Sequence, residues 1–311
     1  MIIHGKQNIL IDLGYDVNCT NLINKCKELN ISFFDYAFIT HYHSDHVTSN
    51  IESALNNLVA NDINIKHFIL PHKTIAWEKC SSVSWYSEIK NHEQKCINYL
   101  TNNNIPYVQP EEKEIIGINS HLQSQCFNVS NFSNNYYNTS TIEYNNFSAI
   151  YKFLINGYTF VISGDATPLV QECMAQQIGK CDILQVEHHG INRKGCKAWC
   201  DTLKPSISIA SRYDSKYYDL YLAASPNVIE YMKTSVFYTN INKEIVIEIG
   251  NGLNCSGMPV PGVKSDSESL VNISTYARNS VEKGVSFESD ENGIIYADGT
   301  ASDGNANFYA V

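Results

Sequence analysis

Residues 41 to 46 read His41-Tyr42-His43-Ser44-Asp45-His46, which places four metal-type ligands within six positions. Core packing has no use for such a cluster. On a tight loop His41 and His43 can turn toward one cation while Asp45 and His46, a step further round, reach a second. Phe33 to Thr40 just before it reads as a buried strand. After it the apolar positions Val47, Ile51, Leu55, Leu58 and Val59 return at helical spacing. The cluster therefore lies on a strand-to-helix loop, where α/β folds place their chemistry.

The same arrangement recurs twice. A run from Tyr158 to Ser163 leads to Gly164-Asp165, and a run from Asp182 to Glu187 leads to His188-His189-Gly190, with a helix expected over 169–178 between them. Ser148 to Ile155 is a further strand, joined to the next by Asn156-Gly157, a dipeptide suited to a two-residue hairpin turn. Upstream, residues 7–13 read as a strand closed by Gly14, 20–29 as a helix with Thr20 as N-cap, 65–70 as a strand ending at Pro71, and 84–102 as a helix. Residues 119–146 are crowded with Asn, Ser and Tyr and read as a long loop region with short strands, placed to act as a lid. Strands are expected again at 207–211, 236–239 and 244–249.

Composition narrows the function. The 311 residues are 43% hydrophobic and 17% charged, enough for a sizeable core and about two domains. A net charge of −10 excludes a general nucleic-acid coat, whose affinity for phosphate comes from clustered Lys and Arg. No run reaches the roughly 18 apolar residues of a membrane helix, and Met1-Ile2-Ile3-His4-Gly5-Lys6 lacks the layout of a secretion signal. Ten scattered cysteines without a CxxC pair fit free thiols in a reducing compartment. The cytoplasm is the expected location, with a phage virion or secretion as alternatives. From residue 254 the chain turns rich in Gly, Ser, Asp and Asn behind Pro259 and Pro261, so the expected division is 1–253 and 254–311.

The order His41-x-His43-x-Asp45-His46, Ser163-Gly164-Asp165, His188-His189-Gly190, preceded by Ile9-Leu10-Ile11-Asp12-Leu13-Gly14, resembles the metallo-β-lactamase superfamily. Asn145-Asn146-Phe147-Ser148, the Asn156-Gly157 hairpin, Gly164-Asp165 and His188-His189-Gly190 follow one another as in its ComEC-type competence nuclease branch. The similarity covers about residues 1–253. It implies an α/β fold, an αββα sandwich with a dinuclear site at one edge. His41 and His43 would hold the first of two divalent cations, Asp45, His46 and His188 the second, and Asp165 would bridge them. Zinc is the first choice and manganese the second, since mixed imidazole and carboxylate sites accept either. The implied reaction is hydrolysis by a metal-bridging hydroxide, on a phosphodiester substrate (nucleic acid, nucleotide or choline-phosphate polymer). Asp45 and Asp165 would be the catalytic residues. Asn145, Ser148, His189, Arg193 and Lys194 are the expected substrate contacts, the last two from the basic run Arg193 to Lys197.

The chain departs from that pattern in three places. Where many members carry a further histidine ligand, Asn145 or Asn146 stands with Ser148, and His72, His92 and His121 are unassigned alternatives. Ile191 replaces the expected Ser. The usual first strand, with Gly-Gln-Gly-Asp, does not precede Met1, leaving a sheet edge exposed or filled by another segment. The stretch Gly284 to Ala301 is similar to the opening hairpins of β-sandwich modules in phage tail and bacterial surface proteins. It makes a cell-wall phosphorylcholine esterase the alternative hydrolase and the tail a route to a homo-oligomer or a phage or surface assembly. A non-catalytic binding module on the same fold is the third reading. Tyr213, Tyr217, Tyr218 and Tyr221 would offer stacking faces to bases.

Overall fold

The computed structural model describes residues 1–72, 86–119, 121–129, 144–191, 194–211, 225–232, 234, 236–239, 244–249, 252–256, 276–277 and 306–310. Arg193, the four tyrosines between 213 and 221, and the whole stretch expected to form β-module hairpins lie outside the described residues.

The strands, in chain order, are β1 (Ile2–His4), β2 (Ile9–Ile11), β3 (Phe33–Phe34), β4 (Tyr36–Phe38), β5 (Asn64–Ile65), β6 (Phe68–Ile69), β7 (Tyr107–Val108), β8 (Ile115–Asn119) and β9 (Leu122–Phe127). They continue with β10 (Ile150–Ile155), β11 (Tyr158–Ile162), β12 (Ile183–Gln185), β13 (Ile207–Ala210), β14 (Val236–Tyr238), β15 (Ile245–Ile249), β16 (Gly252–Cys255), β17 (Tyr276–Ala277) and β18 (Ala306–Ala310). Helices are α1 (Thr20–Glu28), α2 (Ser44–Val47), α3 (Ile51–Ala60), α4 (Tyr86–Asn102), α5 (Pro168–Ile178) and α6 (Lys197–Leu203). One sheet runs β17-β16-β15-β18-β1-β2-β4-β6-β7, a second β14-β13-β12-β11-β10-β9-β8, and β3 pairs separately with β5.

Alternation along short apolar strands builds the layers. Ile3, Ile9, Ile11, Phe38 and Ile69 of the first sheet meet Leu122, Cys126, Phe153, Phe160, Ile162 and Ile183 of the second in a core between the sheets. Phe38 stands edge-on to Tyr151 and Phe153, with ring centroids 5.1 and 4.9 Å away. Truncating such a ring to Ala costs about 3–5 kcal/mol. The neighbouring residues Ile2, Leu10, Ala37 and Phe68 pack with α1, α3 and α4 through Leu22, Ile23, Ala54, Leu55 and Leu100. Val161 and Leu184 do the same with α5 and α6 through Val170, Met174, Trp199 and Leu203. With both faces covered the strands carry no polar side, which is why they read as continuous apolar runs. The result is the expected αββα sandwich.

β2, β4, β6 and β7 are parallel, and so are β11, β12, β13 and β14. Loops leaving the carboxyl ends of β2, β4, β11 and β12 carry the residues singled out above. Two bonds tie the sheets together there: Ala149 N donates to the Thr40 carbonyl at 2.8 Å, and Tyr151 Oη to the Ile39 carbonyl at 2.7 Å.

The structure differs from the sequence expectations at several points. Residues 122–127, in the stretch expected to be a loop region with short strands, form β9, a six-residue inner strand between β8 and β10. Leu122, Ser124 and Cys126 point inward and are buried; the polar Gln123 and Gln125 between them disguise the alternation. Thr20 is not the cap of α1. The Asp16 carboxylate accepts from the backbone N–H of Asn18 and Thr20 instead. The edge of β1 is covered by β18, antiparallel to β1 on one side and to β15 on the other. Residue 253 lies inside β16, and β17 and β18 join the same sheet. The Asn156-Gly157 turn forms as expected, with both residues at positive φ (48° and 78°).

Candidate metal centre

Asp12, at the end of β2, accepts from Thr40 N and Thr40 Oγ1, both at 2.8 Å, and from His46 Nδ1 at 2.7 Å. Thr40 Oγ1, having given its proton to Asp12, is left to accept from His41 Nδ1 at 3.1 Å. Both imidazoles are thereby fixed with Nδ1 as donor and the Nε2 lone pair free to point elsewhere. His46 Nε2 lies 3.2 Å from Asp165 Oδ1, and His41 Nε2 lies 3.0 Å from His43 Nδ1 and 3.7 Å from Asp165 Oδ2.

Asp165 reaches this point because β11 ends in Ser163-Gly164. Gly164 sits at φ +52°, and a Cβ there would stand 2.8 Å from Thr40 Cβ. Only glycine lets the two strand ends come this close without displacement. The Asp165 N–H is received by Ser148 Oγ at 3.3 Å. Ser163 and Gln185 lace the ends of β11 and β12 together, Ser163 N donating to Gln185 Oε1 at 2.9 Å and Ser163 Oγ to the Gln185 carbonyl at 2.9 Å.

Beyond β12 the backbone turns sharply. His188 and His189 both take left-handed conformations, φ 47° and 56°, which non-glycine residues adopt at a cost of order 1–3 kcal/mol each. Three bonds hold the turn: His188 N to the Gly164 carbonyl at 3.0 Å, Ile191 N to the His188 carbonyl at 2.9 Å, and Ser225 N to the Gly190 carbonyl at 2.8 Å. Beneath it the fully buried Glu187 receives Asn227 Nδ2 at 2.6 Å, the same amide lies 3.0 Å from Gln171 Oε1, and Gln171 Nε2 donates to the Ala166 carbonyl at 2.7 Å. Burial pushes the Glu187 carboxyl up to about 7, against the Asn227 bond. His189 Nδ1 donates to the Ser211 carbonyl at 2.6 Å, so its Nε2 lone pair faces Asp45 Oδ2 at 3.2 Å and Asp165 Oδ1 at 3.7 Å.

Two ligand groups result, one of Asp45, His46, Asp165 and His189, the other of His41, His43 and Asp165, with coordinating atoms within 4.8 Å of one another in each. Imidazole lone pairs aimed at carboxylate oxygens repel unless a proton or a cation lies between them. His46 Nε2 and Asp165 Oδ1 are buried, 3.2 Å apart, with no other hydrogen-bond partner, so a cation can enter between them. The donor set of imidazole and carboxylate fits zinc or manganese.

Electrostatics match. Burial, with the charge of His46, holds His41 well below the usual histidine range, and burial lowers His43, so both are neutral ligands. Burial opposes the charge of His46, yet Asp165 and Asp12 outweigh it and raise that ring well above its ordinary value; His189 is raised against burial by Asp165 and Asp45. Asp165, although buried, is held well below the carboxylate range by His46 and His189, and Asp45 is lowered by His189 against its own burial.

The structure brings together His41, His43, Asp45, His46, Asp165 and both His188 and His189. His188 Nε2 lies 3.7 Å from Asp165 Oδ2. His189, expected at the substrate, stands in the second group. Ser148, also expected there, is fully buried beneath Asp165. Asn145 is buried with Oδ1 unpartnered, next to Tyr144, whose ring is 5.0 Å from that of His43. Lys194 is exposed on the approach to α6, and Lys197 pairs with Asp201 along that helix. His72, His92 and His121 belong to neither group: His72 lies 3.6 Å from Glu111, His92 Nδ1 donates to the Tyr42 carbonyl, and His121 is buried beside Asn119. Sequence reasoning assigned no role to Asp12, although it ends a buried strand just ahead of the ligand loop.

Four layers ordered αββα, with two His/Asp groups at the carboxyl ends of parallel strands, define an α/β sandwich with a candidate two-cation site at one edge. No family model matches the chain, and no curated protein matches it. Among solved structures it is similar to the metallo-β-lactamase fold protein YhfI from Bacillus subtilis, at 10% identity and TM-score 0.40 over 75% of this chain and 84% of that one. Another is Zn(2+)-bound PqqB from Methylobacterium extorquens, at 11% identity and TM-score 0.34 over 59% of this chain and 53% of that one. A third is the CmlA β-hydroxylase, at 13% identity and TM-score 0.36 over 57% of this chain; the match spans 36% of the hydroxylase. Among the described residues no helix is long and apolar enough to cross a membrane.

Proposed function

We propose that the chain is a metal-dependent hydrolase acting on phosphodiesters. The observation that carries the metal-dependent part is Asp165: a buried carboxylate with His46 and His189 beside one oxygen and His41 and His188 beside the other. Divalent cations bound there supply a water of lowered pKa and counter-charge for the group under attack.

The chain's own residues have separable tasks. Asp12 and Thr40 fix the tautomers of His46 and His41. Asp165 stays ionised and spans both groups. Asp45, its side chain 45% exposed, stands at the mouth of the site, placed to orient the attacking water. An unpartnered amide oxygen such as Asn145 Oδ1 suits a cation or a donor hydroxyl better than a phosphate oxygen, which is itself an acceptor. Support for the phosphodiester comes from the sequence order shared with the competence nuclease branch and from the exposed cation Lys194 beyond the histidine turn.

The test is elemental analysis of protein purified without chelator, run beside hydrolysis of bis-p-nitrophenyl phosphate, p-nitrophenyl phosphorylcholine and single-stranded DNA. Two metals per chain with cleavage of a phosphodiester is the expected result. DNA cleavage selects a nuclease, and turnover of the choline ester alone selects the esterase. Metal-loaded protein that turns over none of the three overturns the proposal.

A further inference from the structure

We infer that the adjacent histidines His188 and His189 are divided between the two cation groups, His188 completing that of His41 and His43, and His189 that of Asp45 and His46. This rests on the two-cation reading above and departs from the pattern implied by the sequence order, in which one of the pair serves the second cation and the other the substrate.

Asp165 draws the boundary. Its Oδ1 lies 3.2 Å from His46 Nε2 and 3.7 Å from His189 Nε2, and its Oδ2 lies 3.7 Å from both His41 Nε2 and His188 Nε2. Each oxygen therefore serves one histidine from the first loop and one from the second. The backbone explains how neighbours in sequence face different groups. With both residues left-handed, the side chains fan apart, ring centroids 6.0 Å apart and planes at 61°. The neighbours follow the same division. The His189 ring is 5.3 Å from that of His46 and its Nε2 faces Asp45 Oδ2 at 3.2 Å, whereas the Nε2 of His188 lies 3.7 Å from the Asp165 oxygen that also faces His41. The group of His41, His43 and Asp165 has three protein ligands, and a tetrahedral ion has room for a fourth.

Asparagine is the substitution of choice at either position, because it tolerates left-handed backbone and lacks the imidazole nitrogen that reaches Asp165. The experiment is cobalt(II) titration followed by visible absorption, with zinc content by elemental analysis, on wild type, H41A, H188N, H189N and the doubles H41A/H188N and H41A/H189N; circular dichroism confirms the fold of each. Wild type should take two cations and each single variant one. H41A and H188N empty the same group, so their double should still take one cation, whereas H41A/H189N should take none. Two cations at wild-type affinity in H188N, or no cation in H41A/H188N, overturns the division while leaving the two-cation reading in place. A wild-type protein that takes up no cation overturns both.

Discussion

Asp12 and Asp165 grip opposite edges of one imidazole: His46 Nδ1 is 2.7 Å from Asp12 Oδ2, and His46 Nε2 is 3.2 Å from Asp165 Oδ1. The first contact fixes the ring and the second aims it. Replacing Asp12 by Asn keeps the shape but weakens the grip on Nδ1–H, and cation affinity should fall about 10–100-fold, as when other partners of metal-bound histidines are changed. Asp165→Asn should lose both cations. Calorimetric titration with zinc measures both, and wild-type affinity in the Asp12 variant would refute the assigned role.

Cation binding should release protons in a pH-dependent way. His46 and His189 are raised in the cation-free protein and must give up their protons to become ligands, whereas His41 and His43 are lowered and already neutral. Affinity at the group holding His46 and His189 should therefore climb as pH rises toward their folded values. In the cation-free protein the same raised values stabilise the fold below the unfolded histidine pKa of about 6.5, and that stability is lost as pH rises through the folded values. Calorimetry in two buffers of different ionisation enthalpy counts the protons; no release near neutrality would contradict the prediction.

Gly164→Ala adds a methyl at φ +52° and 2.8 Å from Thr40 Cβ. The expected cost is about 1–3 kcal/mol, from backbone strain plus displacement of the Thr40 loop. Urea denaturation of the cation-free protein reads the loss directly, and an unchanged midpoint would show that the two strand ends tolerate separation.

Glu187 lies below the histidine turn with one oxygen on Asn227 and the other without a partner. Truncation to Ala leaves the Asn227 amide short of an acceptor and should destabilise the fold by about 1–3 kcal/mol. Glu187→Gln should restore much of the loss, since a neutral acceptor suffices at so buried a site. Thermal melts of the two variants decide; equal losses would mean that the negative charge itself is needed.

The ligand loops were legible because each follows a buried strand, and a polar residue at the end of an apolar run announces itself. The layering was legible for the same reason. β9 was hidden because its outward glutamines and inward Ser124 blur the apolar alternation. The part played by Asp12 was not legible because Asp at a strand end is also what a turn looks like, and only the fold brings it 2.7 Å from a ring 34 residues away. The division between His188 and His189 depends on two left-handed residues in succession, which nothing in a His-His-Gly string reveals.

The strand at 306–310 has a kinetic consequence. Among the described residues, the other strands of that sheet form two blocks, one from the first 108 residues and one from residues 245–277, and they meet across β18. Ile2 pairs with Tyr309, so that seam joins positions about as distant in sequence as this chain allows. Contacts so non-local are slow to form and late to be rewarded. The seam is then the last part of the sheet to zip and the first to part, and backbone amides of β1 and β15 facing it should exchange with solvent together, as one cooperative opening.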